Sequence, residues 1–157
     1  MQKHSLPLTQ LIHENLSVVM TFAFSRKPLE ELRNNKFDGN WKYLDKALFS
    51  IPEERATKAC IELSCFMRLL DDQESISEFL KKTKYHKFGR VIKKEQPDED
   101  LYLRDLTNKI MHAAKYEWNF SDSESPKLIC ISDKPERWVC AEVEVVALAG
   151  LCGLLMS

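Results

Sequence analysis

The sequence predicts a single, mainly α-helical domain: a helical bundle that carries a small C-terminal three-stranded antiparallel sheet and ends in a final helix. Three observations support this fold class. Apolar residues recur at helical spacing up to about residue 114. Three later segments are rich in aromatic and β-branched residues and are separated by turn-like stretches. The 157 residues include only 4 glycines, few for an all-β chain, and no repeat or long linker, so residues 1–157 are predicted as one domain.

The N-terminal third is predicted as two helical pieces, a turn and a short helix. An apolar stripe predicts the first helix from about Leu8 to Phe24. A second helical piece is expected near Pro28 to Asn34. The segment FDGNWKYLDKALFS, residues 37–50, is typical of a turn followed by a short helix that carries Trp41, Leu44 and Leu48.

The central helix is expected to begin at a capping box, in which Ser50 is followed three residues later by Glu53. Apolar residues then recur at i, i+3, i+4 and i+7, so this helix should lie at the centre of the core. Asp71 and Asp72 end it and are expected to pair with Arg68 or Lys81, or to cap the next segment. Ser75 begins a second capping-box pattern, for a short helix that ends near residue 82. The segment YHKFGRVIKK is ambiguous, and KKEQPDED is predicted as an exposed loop.

The following helix is predicted to start at Pro97, with three carboxylates in its first turn, where the positive end of the helix dipole favours them. A rotation of about 100° per residue separates its two sides. The buried side should contain Tyr102, Leu103, Leu106, Ile110, Ala113 and Ala114. The polar side should contain Arg104, Asn108 and His112, together with Leu101, Met111 and an Asp105–Lys109 ion pair.

Arg104, Asn108 and His112 are the candidate catalytic residues. A histidine can transfer a proton near neutral pH, and an arginine can hold a phosphate through two hydrogen bonds. The asparagine could orient the histidine or accept a hydrogen bond from a substrate. Together these residues could cleave an RNA phosphodiester without a metal ion. The alternative is that they form only the solvated side of an ordinary helix.

The C-terminal segments KYEWNF, KLICIS and RWVCAEVEV are predicted as the three strands, with DKPE as a tight hairpin turn. In the third strand, alternation should turn Val139, Ala141, Val143 and Val145 toward the helices. The apolar run from Val145 to Met156 predicts the final helix, either buried or docked on a second copy. It is about a dozen residues long, whereas a membrane span needs roughly 20.

Composition and charge narrow the classes of function. A net charge of −1 and a pI of about 6.4 argue against a strong general nucleic-acid binder but leave room for a local basic face. The five cysteines include no CxxC pair and the four histidines are scattered, so neither a metal site nor a cofactor is predicted. Reduced core cysteines in a cytoplasmic protein are expected, with a Cys130–Cys140 disulfide as the alternative. The N-terminus lacks the apolar core of a signal peptide.

The stretch LRDLTNKIMHA, followed by YEW, resembles the HEPN-like helical superfamily. It is similar in particular to bacterial members with a helix ending in NKIIHA and a C-terminal β-hairpin that returns into a final helix. The upstream RLLDD and SISEFLKK segments also resemble that group, and the likeness covers roughly residues 50–157.

This resemblance implies an up-and-down bundle, commonly a homodimer, and many of its members are metal-independent RNases of toxin or antiphage type. Their motif leaves four to six residues between an arginine and a following histidine. If His112 is that histidine, the arginine position falls on Asp105, Leu106 or Thr107, and Arg104 lies one step too far upstream. A noncatalytic module that binds a protein partner or RNA is therefore predicted. The alternatives are a metal-independent endoribonuclease and a structural or immunity-type partner protein.

Overall fold

A computed structural model describes residues 5–37, 43–83 and 87–156. The described helices are α1 (Ser5–Lys36), α2 (Ile51–Glu74), α3 (Ile76–Leu80), α4 (Leu103–Met111) and α5 (Val145–Met156). The strands are β1 (Gly89–Ile92), β2 (Glu99–Asp100), β3 (Lys115–Asn119), β4 (Lys127–Ile131) and β5 (Cys140–Glu144). The mainly α class is confirmed. Within these ranges, no helix combines the length and the apolar character that crossing a membrane requires.

The two N-terminal helical pieces are one continuous helix, so the predicted break before Pro28 is wrong. Proline cannot donate a backbone hydrogen bond, but Pro28 is exposed, where its ring meets few neighbours. An ion pair of 2.6 Å between Arg26 Nε and Glu30 Oε1 spans the proline position. Phe22 and Ala23, one turn earlier, are buried. Packing and local pairing therefore outweigh the single missing hydrogen bond.

The α-helix does begin directly after Ser50, but the predicted capping box there is wrong. A π-helical turn, Lys46–Ser50, runs directly into α2. Ser50 itself has helical angles, φ −65° and ψ −49°, and its side chain forms no capping hydrogen bond. The predicted short helix before α2 corresponds to this π-helical turn, whereas Trp41 and the turn before it lie outside the described residues. As predicted, α2 is central, since it packs between α1 and α4.

The sheet has five strands rather than three, all antiparallel, in the order β2-β1-β5-β4-β3. The three predicted strands are confirmed as β3, β4 and β5. The additional strands come from the ambiguous segment and the predicted exposed loop. Val91 pairs with both Glu99 and Ala141, so β1 joins β2 to β5. Gly89, with φ 142°, permits this pairing, since a Cβ there would lie 1.8 Å from the carbonyl oxygen of Glu142.

This pairing also corrects the predicted start of α4. Glu99 and Asp100 belong to β2, and the backbone of Leu101 bonds to Gly89 and Phe88 at 2.9 and 2.8 Å. The helix therefore begins at Leu103 rather than Pro97. Leu101, assigned to the polar side by the helical spacing, is fully buried because its backbone is extended.

The core lies between the helices and one face of the sheet. On α4, Leu103, Leu106 and Ile110 are buried as predicted, Thr107 joins them, and Tyr102 and Ala114 are exposed. The alternation along β5 is confirmed, with Ala141, Val143 and Val145 buried and Val139 half-buried. The alternative disulfide is excluded because Cys130 pairs with Ala141 while Cys140 pairs with Ile131, which turns the two thiols to opposite faces.

Candidate functional site

The two ends of α4 lie in different surroundings, and this separates the candidate catalytic residues. Its N-terminal end faces the junction of α2 and α3, in a cleft of about 490 Å³ that Arg104 lines. Its C-terminal end faces the β4–β5 turn, in a cleft of about 450 Å³ that Asn108 and His112 line. We call the second of these the His112 cleft. The separation of eight positions between Arg104 and His112 corresponds to about 12 Å along a helix axis.

Arg104 is held by the two carboxylates at the end of α2. Its Nη1 lies 3.0 Å from Asp71 Oδ2 and 2.7 Å from Asp72 Oδ1. Hydrogen bonds to Asp72 and Asp71 raise the pKa of Arg104 above its usual value. The guanidinium therefore serves to join α4 to α2.

Asp71 also caps α3, which corrects the second predicted capping box. Its Oδ1 accepts the Ser77 N–H at 2.6 Å, and its Oδ2 accepts the Ser77 hydroxyl at 2.7 Å. Ser75 has left-handed backbone angles, φ 52° and ψ 46°, and makes no side-chain cap bond. Burial alone would raise the pKa of the Asp71 carboxyl, but the hydrogen bonds from Ser77 and Arg104 hold it below its usual value.

Asn108 is held from α2 by Arg68. Its Oδ1 accepts a hydrogen bond of 2.7 Å from Arg68 Nη1, and the same nitrogen lies 3.4 Å from Thr107 Oγ1. The oxygen with which Asn108 could orient a histidine is thus turned toward α2.

His112 lies at the C-terminal end of α4, where its backbone N–H donates to the Asn108 carbonyl at 3.0 Å. The Tyr116 hydroxyl donates to the Ile110 carbonyl and fixes this end of the helix against β3. The imidazole is exposed at the His112 cleft. The structure therefore brings Asn108 and His112 to one cleft and leaves Arg104 in another.

Besides Asn108 and His112, the His112 cleft is lined by residues of the β4–β5 loop that the sequence patterns did not single out as functional. The loop between β4 and β5 contributes Lys134, Arg137 and Trp138, and α4 contributes Lys109. Within the described ranges, Lys109 forms no ion pair with Asp105, and its Nζ lies 4.7 Å from the centre of the Trp138 ring. The segment DKPERW does carry a local pattern, because two cationic residues and an aromatic residue lie beside a turn. The sequence does not indicate which helix this segment faces, since that depends on how the strands pair.

The predicted tight hairpin turn at DKPE is wrong, because a longer hydrogen-bonded loop, residues 132–139, joins β4 to β5 and its turn runs from Lys134 to Arg137. The Lys134 N–H donates to Ser132 Oγ at 2.9 Å, and the Arg137 N–H donates to the Lys134 carbonyl at 2.9 Å. At the base of the loop, the Ser132 N–H donates to the Val139 carbonyl at 3.1 Å. These bonds hold the backbone that carries Lys134 and Arg137.

In the described part of the chain, no metal-ligand cluster is present and three of the five thiols are buried. Across residues 5–37, 43–83 and 87–156, no three His, Cys, Asp or Glu side chains are grouped so as to hold a metal ion. Cys60, Cys130 and Cys152 are buried, and burial raises all three thiol pKa values, to about 12 for Cys130 and Cys152. Such thiols remain protonated near neutral pH and are poor nucleophiles.

Comparison with protein-family models, curated proteins and solved structures finds no significant match to this chain.

Proposed function

We propose that the protein is a noncatalytic binding module of the HEPN-like type, which holds an anionic partner, RNA or an acidic protein surface, in the His112 cleft. The observation that carries this proposal is the engagement of Arg104 by Asp71 and Asp72. Its Nη1 lies 3.0 and 2.7 Å from the two carboxylates, at the opposite end of α4 from His112.

Metal-independent cleavage of a phosphodiester needs a proton-transfer group and a cation at the same phosphate. His112 is exposed and free to meet a ligand, but Arg104 would have to break two ion pairs and cross about 12 Å to share that ligand. Asn108 accepts its hydrogen bond from Arg68 instead of orienting His112. Binding without catalysis is the function that this arrangement supports best.

A cleavage assay tests the noncatalytic part of the proposal. Wild-type protein is incubated with a panel of single-stranded and structured RNAs in EDTA, beside His112→Ala. We expect no cleavage by either protein. Cleavage by the wild type that is lost in a folded His112→Ala variant would refute the proposal.

The alternative, a metal-independent endoribonuclease, draws on one observation. Arg137 lines the same cleft as His112 and could supply the cation that Arg104 does not. If the wild type cleaves RNA in EDTA, loss of cleavage in Arg137→Gln but not in Arg104→Gln would assign the reaction to this pair. A structural or immunity-type partner protein would neither cleave nor bind RNA.

A second copy of the chain is the protein partner that the HEPN-like resemblance implies, and we propose that α1 provides the contact. Leu11, Val18 and Leu32 are exposed and lie seven and fourteen residues apart, on one side of the helix. Light scattering at micromolar concentration should show a dimer that Val18→Glu dissociates. A wild-type protein that is monomeric throughout would rule out this arrangement. The free cysteines support a reducing, cytoplasmic setting for the module.

A further inference from the structure

We infer that the group bound in the His112 cleft is a phosphate ester, contacted by Arg137, Lys134 and Lys109. This inference rests on the proposed binding function and specifies its ligand. The same chemistry is offered by a small phosphorylated molecule, such as a mononucleotide, and by the backbone of a single-stranded RNA.

The first support is the charge in the cleft. Four side chains that are or can become cationic line it, Lys109, His112, Lys134 and Arg137, and Asp133 is the one acidic residue of the lining. Like charges that converge in this way repel one another, so an anion between them lowers the electrostatic energy.

The second support is the contrast with the two arginines that lie between α2 and α4. In the described ranges, Lys109, Lys134 and Arg137 form no ion pair, whereas Arg104 pairs with two carboxylates of α2 and Arg68 donates a hydrogen bond to Asn108. The paired arginines join helices to one another. Among the described residues, Lys134 and Arg137 have no such partner, and Lys109 lies over the Trp138 ring, so a ligand can contact these cations without breaking an ion pair.

The third support is the preorganised backbone of the β4–β5 loop. Hydrogen bonds of 2.9 Å from Lys134 to Ser132 Oγ and from Arg137 to the Lys134 carbonyl fix the turn before any ligand arrives. On this loop a ligand then has to order only the side chains of Lys134 and Arg137 and not the backbone, which reduces the entropy cost of binding.

A phosphate ester fits this lining better than a single carboxylate. Its several acceptor oxygens can be shared between a guanidinium, two ammonium groups and the Ser132 hydroxyl. The cleft of about 450 Å³ also has room for the organic part of the ligand. Trp138 offers a planar face for that part, at present covered by the Lys109 ammonium 4.7 Å from the ring centre.

Titration calorimetry with three probes tests the inference: inorganic pyrophosphate, adenosine monophosphate and a single-stranded RNA oligonucleotide. The cleft variant is the double substitution Lys134→Gln with Arg137→Gln. The matched control, Arg55→Gln with Lys94→Gln, removes the same charge from exposed positions outside the cleft. Far-UV circular dichroism verifies that both variants are folded.

We expect at least one probe to bind the wild type, the cleft variant to bind it at least about tenfold more weakly, and the control to change its affinity less than about threefold. Equal cleft-dependent binding of the mononucleotide and the RNA indicates a small phosphorylated ligand. Cleft-dependent binding of the RNA that increases with its length and weakens with salt indicates a nucleic-acid strand.

The inference is overturned if no probe binds at millimolar concentration, or if the two double variants lose affinity equally. These failures differ from failure of the proposed function. RNA cleavage in EDTA would refute the noncatalytic proposal while leaving phosphate binding in place. If the protein neither cleaves RNA nor binds phosphate, the noncatalytic proposal stands and the phosphate inference fails. The partner of the module is then not phosphorylated.

Discussion

Replacing Asp71 by alanine should destabilise the fold far more than the same change at its neighbour Asp72. Both carboxylates contact Arg104, but the Asp71 side chain is 6% exposed and the Asp72 side chain is 52% exposed. Asp71 alone also caps α3, through the bonds of 2.6 and 2.7 Å from Ser77. Comparing the Asp71→Ala and Asp72→Ala variants therefore separates the contribution of the cap from that of the surface charge.

The magnitude follows from the two bonds to Ser77. Loss of a helix N-cap costs about 1 kcal/mol, and a hydrogen bond to a charged group contributes about 1.5–3 kcal/mol. The two estimates both include the hydrogen bond from the Ser77 N–H, so they cannot simply be added. We therefore expect Asp71→Ala to reduce the free energy of unfolding by about 2–3 kcal/mol. For a domain of this length, that loss corresponds to a decrease in Tm of roughly 4–12 °C.

The effect should depend on pH in a defined direction. The pKa of the Asp71 carboxyl is lower in the folded protein than its usual value. Its contribution to stability is therefore complete above the unfolded pKa, about 3.9, and is lost as the pH falls through the lower folded pKa. The stability difference between wild type and Asp71→Ala should be constant from about pH 7 to 5 and should shrink below about pH 4.

Urea unfolding followed by circular dichroism at 222 nm measures these differences, at pH 7 and at several lower values. Asp72→Ala serves as the control and should lose much less stability, since exposed ion pairs contribute little. Equal destabilisation by the two substitutions, or a difference that persists undiminished at pH 2, would refute the assignment of Asp71 as the buried cap of α3.

Three further outcomes are expected. Gly89→Ala should prevent β1 from pairing with β5, since the new Cβ would lie 1.8 Å from the Glu142 carbonyl oxygen; a variant with wild-type Tm would contradict this close approach. Leu106→Ala, at a fully buried position of α4, should cost about 2–5 kcal/mol in urea unfolding, whereas Met111→Ala on the exposed side should cost less than about 0.5 kcal/mol. A thiol reagent should modify at most two cysteines in the native protein and all five in denaturant, and rapid native reaction of a third would contradict the burial of Cys60, Cys130 and Cys152.

Elements whose signals are local could be predicted from the sequence. The helical spacing of α2, the alternation along β5 and the apolar run of α5 each depend on residues within one segment. When one side of a helix or strand is buried, its apolar residues recur periodically in the sequence, whichever element it packs against. The same reasoning correctly placed Leu103, Leu106 and Ile110 in the core and Arg104, Asn108 and His112 outside it.

Features that depend on distant partners could not be predicted in this way. β1 and β2 are short. They form because β1 pairs with β5, where Val91 lies opposite Ala141, fifty residues later in the chain. That pairing takes Glu99 and Asp100 into the sheet and moves the start of α4 to Leu103. The two capping-box patterns were misleading for a similar reason. At the start of α2 a π-helical turn continues into the helix, and at the start of α3 the Asp71 carboxylate accepts the hydrogen bond from the Ser77 backbone N–H.

The sequence by itself determined a helical bundle with a C-terminal sheet and a row of polar residues on the outer side of one helix. Only the tertiary structure decided how those residues are used. Spacing along a helix sets the direction of a side chain, but the packing of α2 and α3 determines that Arg104 meets two carboxylates. The register of β4 and β5 determines that Arg137 and Lys134 face His112. Charges act over a few ångströms of space rather than along the chain, so the partners of these residues emerge only when the elements pack together.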